Sequence, residues 1–272
     1  MDRVPLGTRT GLTVARLGLG TVKLGRNQGV KYPGGGGYAL PDDEAARELL
    51  RSAARLGINL LDTAPAYGTA EERLGALLGT AGVPAREEWV LCTKAGEEFD
   101  GARSRFDFTG AAVAASVERS LARLRTRWID VVLLHSDGAD EPGLVRGPGL
   151  AALAAAKGRG LVRAVGISAK TAAGALAAVE SGACDVVMLT YNPGEREAEA
   201  ALEAAGRRGV GVLVKKALGG GHAARPEQIE AALRLTLGQA GVSCVVLGTT
   251  NPEHLAENVE AGRRVMGDVA RE

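Results

Sequence analysis

Apolar and polar positions along the chain alternate between two rhythms. Short, nearly continuous apolar runs, of the kind expected of strands covered on both faces, fall at Arg16–Gly20, Asn59–Thr63, Trp89–Lys94, Ile129–His135, Arg163–Ser168, Asp185–Tyr191, Gly211–Ala217 and Cys244–Thr249. Between and after them lie Ala/Leu/Glu/Arg segments of helical period: Asp42–Leu56, Ala70–Leu78, Gly110–Leu124, Gly149–Lys157, Ala172–Ser181, Glu195–Arg208, Pro226–Gly238 and Pro252–Val265. Several carry start signals, namely Pro41-Asp42-Asp43, Thr109, Thr171, and prolines 226 and 252 in the first turn. Eight strands, each followed by a helix, predict an α/β fold of the (β/α)8 TIM-barrel type. The segment Arg3–Val14, with Gly7 and Gly11 around a turn, predicts a hairpin that closes the bottom of the barrel. No composition shift or charge run divides residues 1–272, so a single barrel domain is expected.

Charge then narrows the partners. With 33 Lys and Arg against 32 Asp and Glu, nothing suggests a surface built to neutralise phosphates, so neither nucleic acid nor an anionic membrane is an expected partner. No apolar stretch reaches the roughly 20 residues that span a bilayer, and the opening MDRVPLG lacks a secretion pattern; a cytoplasmic protein is expected. Cys92, Cys184 and Cys244 each sit in or beside an apolar run, as buried small hydrophobes do, and form no metal-binding spacing. The run Gly34–Gly37 reads as a loop rather than a phosphate cradle, because no helix start follows it directly.

The chemistry shows where polar residues interrupt the strands. In a barrel of this kind the catalytic groups stand at the C-terminal strand ends, around one mouth. Those ends carry Asp62 with Tyr67 in the following loop, then Lys94, His135, Ser168, Tyr191-Asn192 and Lys215-Lys216. Each alone has a plainer reading: Asp62 as a cap, Lys94 as a snorkelling edge residue, His135 as a core histidine, Ser168 as a loop starter. Of nine aromatics, seven (Tyr32, Tyr38, Tyr67, Phe99, Phe106, Phe108 and Tyr191) fall in or at the start of the loops on that rim. The expectation is an apolar binding pocket there, with Tyr32, Tyr38, Phe99, Phe106 and Phe108 touching an apolar or aromatic substrate.

The stretch NLLDTAPAYG at Asn59–Gly68 resembles the signature of the aldo-keto reductases, and the rest of that family's pattern follows in order. VLCTKAG supplies the matching Lys94, IDVVLLHSD the matching His135, RAVGIS the matching Ser168, and VVLGTTNPEHLAENV the C-terminal nucleotide segment. The likeness runs from the LGLGT of the first barrel strand to Asn258. It implies an NADP-dependent oxidoreductase that reduces an aldehyde or ketone, with Asp62, Tyr67, Lys94 and His135 as the catalytic tetrad and no metal. Tyr67 would be the proton donor, its pKa lowered by the Lys94 ammonium that Asp62 holds in place. His135 would donate to, or orient, the carbonyl oxygen. The cofactor set implied is Gly20, Thr21, Asp62, Ser168, Tyr191, Lys215, Leu218, Gly219, Gly220, Thr249, Thr250, His254, Glu257 and Asn258.

Departures from the family pattern are informative. Ala169 and Met188 stand where the family commonly places Asn and Gln on the nicotinamide carboxamide, and Lys215 stands where an aromatic often covers the ring. Gly248 and His254 occupy places often held by cations around an adenosine 2′-phosphate, while the hydroxyls survive as Thr249 and Thr250. NADPH is therefore expected to be preferred over NADH, by a reduced margin, with NADH possible. Two rivals remain: a lyase forming a Schiff base on Lys94 or Lys215, and a nucleotide-binding regulatory barrel without catalysis. The expected partner is a small-molecule carbonyl substrate, and the expected state a monomer or weak oligomer.

Overall fold

A computed structural model describes residues 3–29, 38–139, 141–223 and 225–269. β1 (Arg3–Pro5) and β2 (Thr13–Ala15) form an antiparallel hairpin with Val4 opposite Val14. β3 (Leu17–Gly20), β4 (Leu60–Asp62) and β5 (Val90–Ala95) follow, then a second hairpin of β6 (Glu97–Phe99) and β7 (Ser104–Phe106). β8 (Ile129–His135), β9 (Val162–Ser168), β10 (Val186–Thr190), β11 (Gly211–Lys215) and β12 (Cys244–Leu247) complete the set. Outside the two hairpins, eight parallel strands close a barrel in the order β3, β4, β5, β8, β9, β10, β11, β12 and back to β3. The (β/α)8 fold is thus as expected.

The helices are α1 (Val22–Gly25), α2 (Asp43–Arg55), α3 (Ala70–Leu77), α4 (Gly110–Arg123), α5 (Glu141–Arg146), α6 (Pro148–Gly158), α7 (Ala172–Glu180), α8 (Glu199–Arg208), α9 (Pro226–Leu237) and α10 (Pro252–Val269). Three start signals act as caps: side-chain oxygens of Asp42, Thr109 and Thr171 accept from the amides of Ala45, Ala112 and Gly174 at 2.8, 3.3 and 2.9 Å. Each satisfies one of the amides that a helix start leaves without a partner.

Two apolar layers result. Inside the barrel, Leu6 and Leu12 of the first hairpin's loop and Val14 of β2 pack with Leu60, Val90, Val131, Val186 and Leu213, so the hairpin closes the N-terminal end. A larger layer fills the space between strands and helices. Some boundaries move. β11 stops at Lys215 because Lys216 turns left-handed (φ 55°). α8 starts at Glu199, not Glu195, because Asn192 and Glu195 exchange backbone hydrogen bonds in a tight turn. α1, α5 and the hairpin β6–β7 were not expected. Tyr32 and Gly34–Gly37 lie outside the described residues, among which no helix is long and apolar enough to cross a membrane.

Candidate active site

Asp62 ends β4 and Lys94 sits in β5, so neighbouring parallel strands bring the two side chains together at the open end of the barrel. Lys94 is 1% exposed and spends its donors fully: on Asp62 Oδ1 at 2.7 Å, the Thr63 carbonyl at 2.9 Å and the Tyr67 hydroxyl at 3.1 Å. The backbone braces this strand end too, for the Thr21 amide and hydroxyl both donate to the Asp62 carbonyl, at 2.9 and 3.0 Å. Tyr67 arrives on a single 3-10 turn (Pro65–Tyr67) whose exit, Gly68, holds φ 62°. A Cβ at Gly68 would lie 2.2 Å from the Gly25 carbonyl oxygen, so only glycine lets the turn close against α1.

Electrostatics at the hydroxyl run opposite to the sequence expectation. Burial, the largest influence, pushes the Tyr67 pKa up; Lys94 pulls it down, but Asp62 pushes it up again. The phenol is therefore held protonated, ready to give a proton rather than to exist as phenolate. For Lys94 burial disfavours the charge, but Asp62 leads the groups that more than compensate, and the ammonium is held above its ordinary range. An amine so firmly protonated is no nucleophile, which disfavours a Schiff base at this position.

His135 closes β8 with its ring edge-on to Tyr67, the centroids 6.3 Å apart and the planes at 83°. Its Nδ1 lies 2.7 Å from Oε2 of Glu97, although the oxygen sits off the direction of an aligned ring N–H bond. Burial lowers the His135 pKa to about 4, against an opposing pull from Glu97. Burial would raise Glu97, yet its contacts with His135 and the Ser104 hydroxyl bring it down to about 2. At neutral pH the pair is thus a neutral imidazole against an ionised carboxylate. Sequence reasoning missed Glu97; the one signal was an acidic pair, Glu97-Glu98, directly after a strand-end Lys-Ala-Gly.

Across the mouth, Lys215 ends β11 and donates to the Ser168 hydroxyl at 3.0 Å and the Ala169 carbonyl at 2.7 Å. Burial, then the nearby Lys94 and Lys216 charges, bring its pKa down to about 7. Met188 does face the barrel interior but is apolar. Tyr191, expected at the cofactor, is fully buried in the layer between barrel and helices, its hydroxyl donating to Glu199 at 2.8 Å and accepting from Gln239 at 3.3 Å. The reason is strand parity, since Met188 and Tyr191 are three residues apart and so point to opposite faces. After Leu218, Gly219 and Gly220 are left-handed, and the Gly219 amide already donates to the Lys216 carbonyl at 2.8 Å. After β12, Thr249 Oγ1 accepts from the Asn251 amide at 3.1 Å and Asn251 Oδ1 from the Glu253 amide at 2.8 Å, shaping the start of α10, which carries His254, Glu257 and Asn258. Thr250 is half-buried beside them, and Gly20 lies at the end of β3.

The loop aromatics differ from a plain apolar pocket. Arg26 stacks over Phe99 at 3.7 Å, Lys170 over Phe106 at 5.1 Å and Lys23 over Tyr38 at 5.5 Å, while Phe108 packs on Phe106 at 6.2 Å. A cavity of about 250 Å³ lies between Lys170–Ala172 and Glu195–Ala198, and none of Asp62, Tyr67, Lys94 or His135 lines it.

A family model described as the aldo/keto reductase family matches residues 16–230. Among curated proteins the chain is 27% identical to D-threo-aldose 1-dehydrogenase of a Pseudomonas species, over 94% of this chain and 92% of the relative. It is 28% identical to L-galactose dehydrogenase of Arabidopsis thaliana, over 93% and 85%. A crystal structure from Pseudomonas aeruginosa, described as an aldo-keto reductase, superimposes with a TM-score of 0.85 at 45% identity, covering 97% of this chain and 95% of that one.

Proposed function

This chain belongs to the aldo/keto reductase family, nicotinamide-dependent oxidoreductases acting on small carbonyl compounds, and from that premise we propose that Tyr67 is its proton donor and that NADPH is its preferred cofactor. The observation that carries the reading is the buried chain Asp62–Lys94–Tyr67, in which a phenol kept protonated touches an ammonium kept charged. When bound, the nicotinamide supplies the hydride. As the carbonyl oxygen gains negative charge, Tyr67 gives it a proton and Lys94 stabilises the tyrosinate left behind, so the pair acts mainly in the transition state. Asp62 keeps Lys94 charged and fixed in a site too dry to solvate it. His135 stands edge-on to Tyr67 at the same rim.

The residues around the mouth fit an anionic dinucleotide. Lys215 offers a buried amine, the turn after it brings left-handed backbone and Lys216, and α10 opens with the hydroxyls of Thr249 and Thr250. A helix start favours a phosphate by about 0.3–1 kcal/mol, less than a charge-assisted pair to Arg, about 1.5–3 kcal/mol. The margin for NADPH over NADH is accordingly modest. Cations over Phe99, Phe106 and Tyr38 suit a hydroxylated, polar carbonyl compound, in line with the aldose and galactose names of the relatives. The test is a titration of both cofactors, followed by assays of aldoses, glyceraldehyde and benzaldehyde in both directions through the absorbance of the reduced nicotinamide. Tighter NADH binding would sink the cofactor assignment, and faster benzaldehyde turnover than aldose turnover would sink the polar-substrate reading.

A further inference from the structure

The hairpin β6–β7 delivers one residue to the reacting groups. Its first strand begins directly after Gly96, where a φ of 94° and a Phe108 ring 2.6 Å from a hypothetical Cβ let the chain turn sharply. That turn sets Glu97, itself 8% exposed, against His135 with 2.7 Å between Oε2 and Nδ1. We propose that Glu97 is a positioning residue for His135, fixing the single proton of the neutral imidazole on Nδ1 and leaving Nε2 as a hydrogen-bond acceptor.

An ionised carboxylate only accepts, so a bare Nδ1 lone pair at 2.7 Å from it would be repelled, whereas an N–H dipole is attracted even when imperfectly aligned. A neutral imidazole has one N–H to place, and Glu97 claims it. The other charged and titratable groups around the ring do not reverse this: Lys94 on β5 and Lys215 on β11 disfavour a second proton, Tyr67 faces the ring edge, and Lys170 helps keep Glu97 ionised. The consequence for the site rests on the proton-transfer reading above. With Nε2 an acceptor, His135 cannot donate to a carbonyl oxygen, so of the two groups Tyr67 is the donor. The same nitrogen accepts from a substrate hydroxyl, so the site binds the alcohol form more firmly than a ring carrying its proton on Nε2 would.

The direct measurement is ring-nitrogen NMR of the enzyme labelled at histidine. The chain has three histidines, His135, His222 and His254, so His135→Asn identifies the signal by its loss. The wild type should show Nδ1 protonated at neutral pH. Glu97→Gln, whose amide can donate to Nδ1, should move the population toward Nε2–H by at least about tenfold, while Glu97→Asp keeps the carboxylate and the wild-type pattern. In turnover, Glu97→Gln should raise KM for L-galactose with NADP+ by about tenfold, roughly the loss of one hydrogen bond, and lower KM for glyceraldehyde with NADPH. A wild-type His135 protonated on Nε2, or a Glu97→Gln tautomer identical to the wild type, overturns the proposal. Nδ1 protonated in an enzyme that turns over neither probe would support the Glu97 role and count against the catalytic reading instead.

Discussion

At the Tyr67 hydroxyl, burial and Asp62 oppose Lys94, and the balance leaves a proton to give. Tyr67→Phe removes that proton and little else, since the ring packing is kept. It should lower kcat by roughly 10²–10⁴ while the Kd for NADPH, read by fluorescence quenching, stays within a factor of about two. Near-normal turnover would reassign the donor. Lys94 and Asp62 carry a different consequence, because each is the other's counter-charge in a nearly waterless place. Lys94→Met strands the Asp62 carboxylate and should cost about 3–5 kcal/mol in urea unfolding, with part of the loss recovered when Asp62→Asn is added. Additive losses in the double variant would mean that the two charges are solvated separately. The expectation that Lys94 would acidify Tyr67 had the right sign for that one neighbour. What the sequence could not supply was burial, a property of the assembled barrel rather than of any motif.

The elements most legible in the sequence are those whose pattern is local. Eight apolar runs became the eight barrel strands, and Asp42, Thr109 and Thr171 cap helices where their positions indicated. The hairpin β6–β7 was not legible: its strands are three residues each, Glu-Glu-Phe and Ser-Arg-Phe, too short for a period and mixed in polarity. α5 is similar, with a Pro and a Gly inside Glu141–Arg146, and tertiary contact holds it: the buried Glu141 carboxylate accepts from the Lys170 and Thr171 amides at the start of α7. Tyr191 points into the helix-facing layer, as the alternation continuing from β10 past Thr190 implies. Of the candidate site, Asp62, Lys94 and His135 were readable because a barrel gathers strand ends, and Tyr67 because it follows Asp62 in the next loop, whereas Glu97 reaches them only through an irregular turn. That turn is itself testable. Gly96→Ala forces a Cβ into the Phe108 ring at a left-handed φ, and should cost more than about 1 kcal/mol in unfolding while raising KM through displacement of Glu97. If the variant is as stable as wild type, with the His135 tautomer unchanged, the turn does not position the hairpin.

Over the whole molecule, charges nearly cancel, so its response to pH depends on a few buried groups rather than on net charge. His135 has its pKa lowered from 6.5 to about 4, so between those values the unfolded chain binds more protons and stability falls as pH falls. Glu97, lowered from 4.5 to about 2, continues the loss below that window. Lys215 extends the same slope upward: with its pKa lowered from 10.5 to about 7, it is neutral in the fold and protonated in the unfolded chain over that range, so stability rises with pH there. The rise is opposed once the buried thiols of Cys92, Cys184 and Cys244, all raised above 9.0, and the Tyr67 phenol, raised above 10.0, begin to ionise in the unfolded chain alone. Maximum stability is therefore expected near about pH 8–9, above the usual range of about 5–8. Urea midpoints across pH locate the maximum. Lys215→Met is the decisive variant: it removes the more strongly lowered of the two lysines with lowered pKa values, Lys23 being lowered less, so most of the rise between pH 7 and the onset of thiol ionisation should disappear. A wild-type slope retained in Lys215→Met would show that the buried amine does not set the alkaline side of the curve.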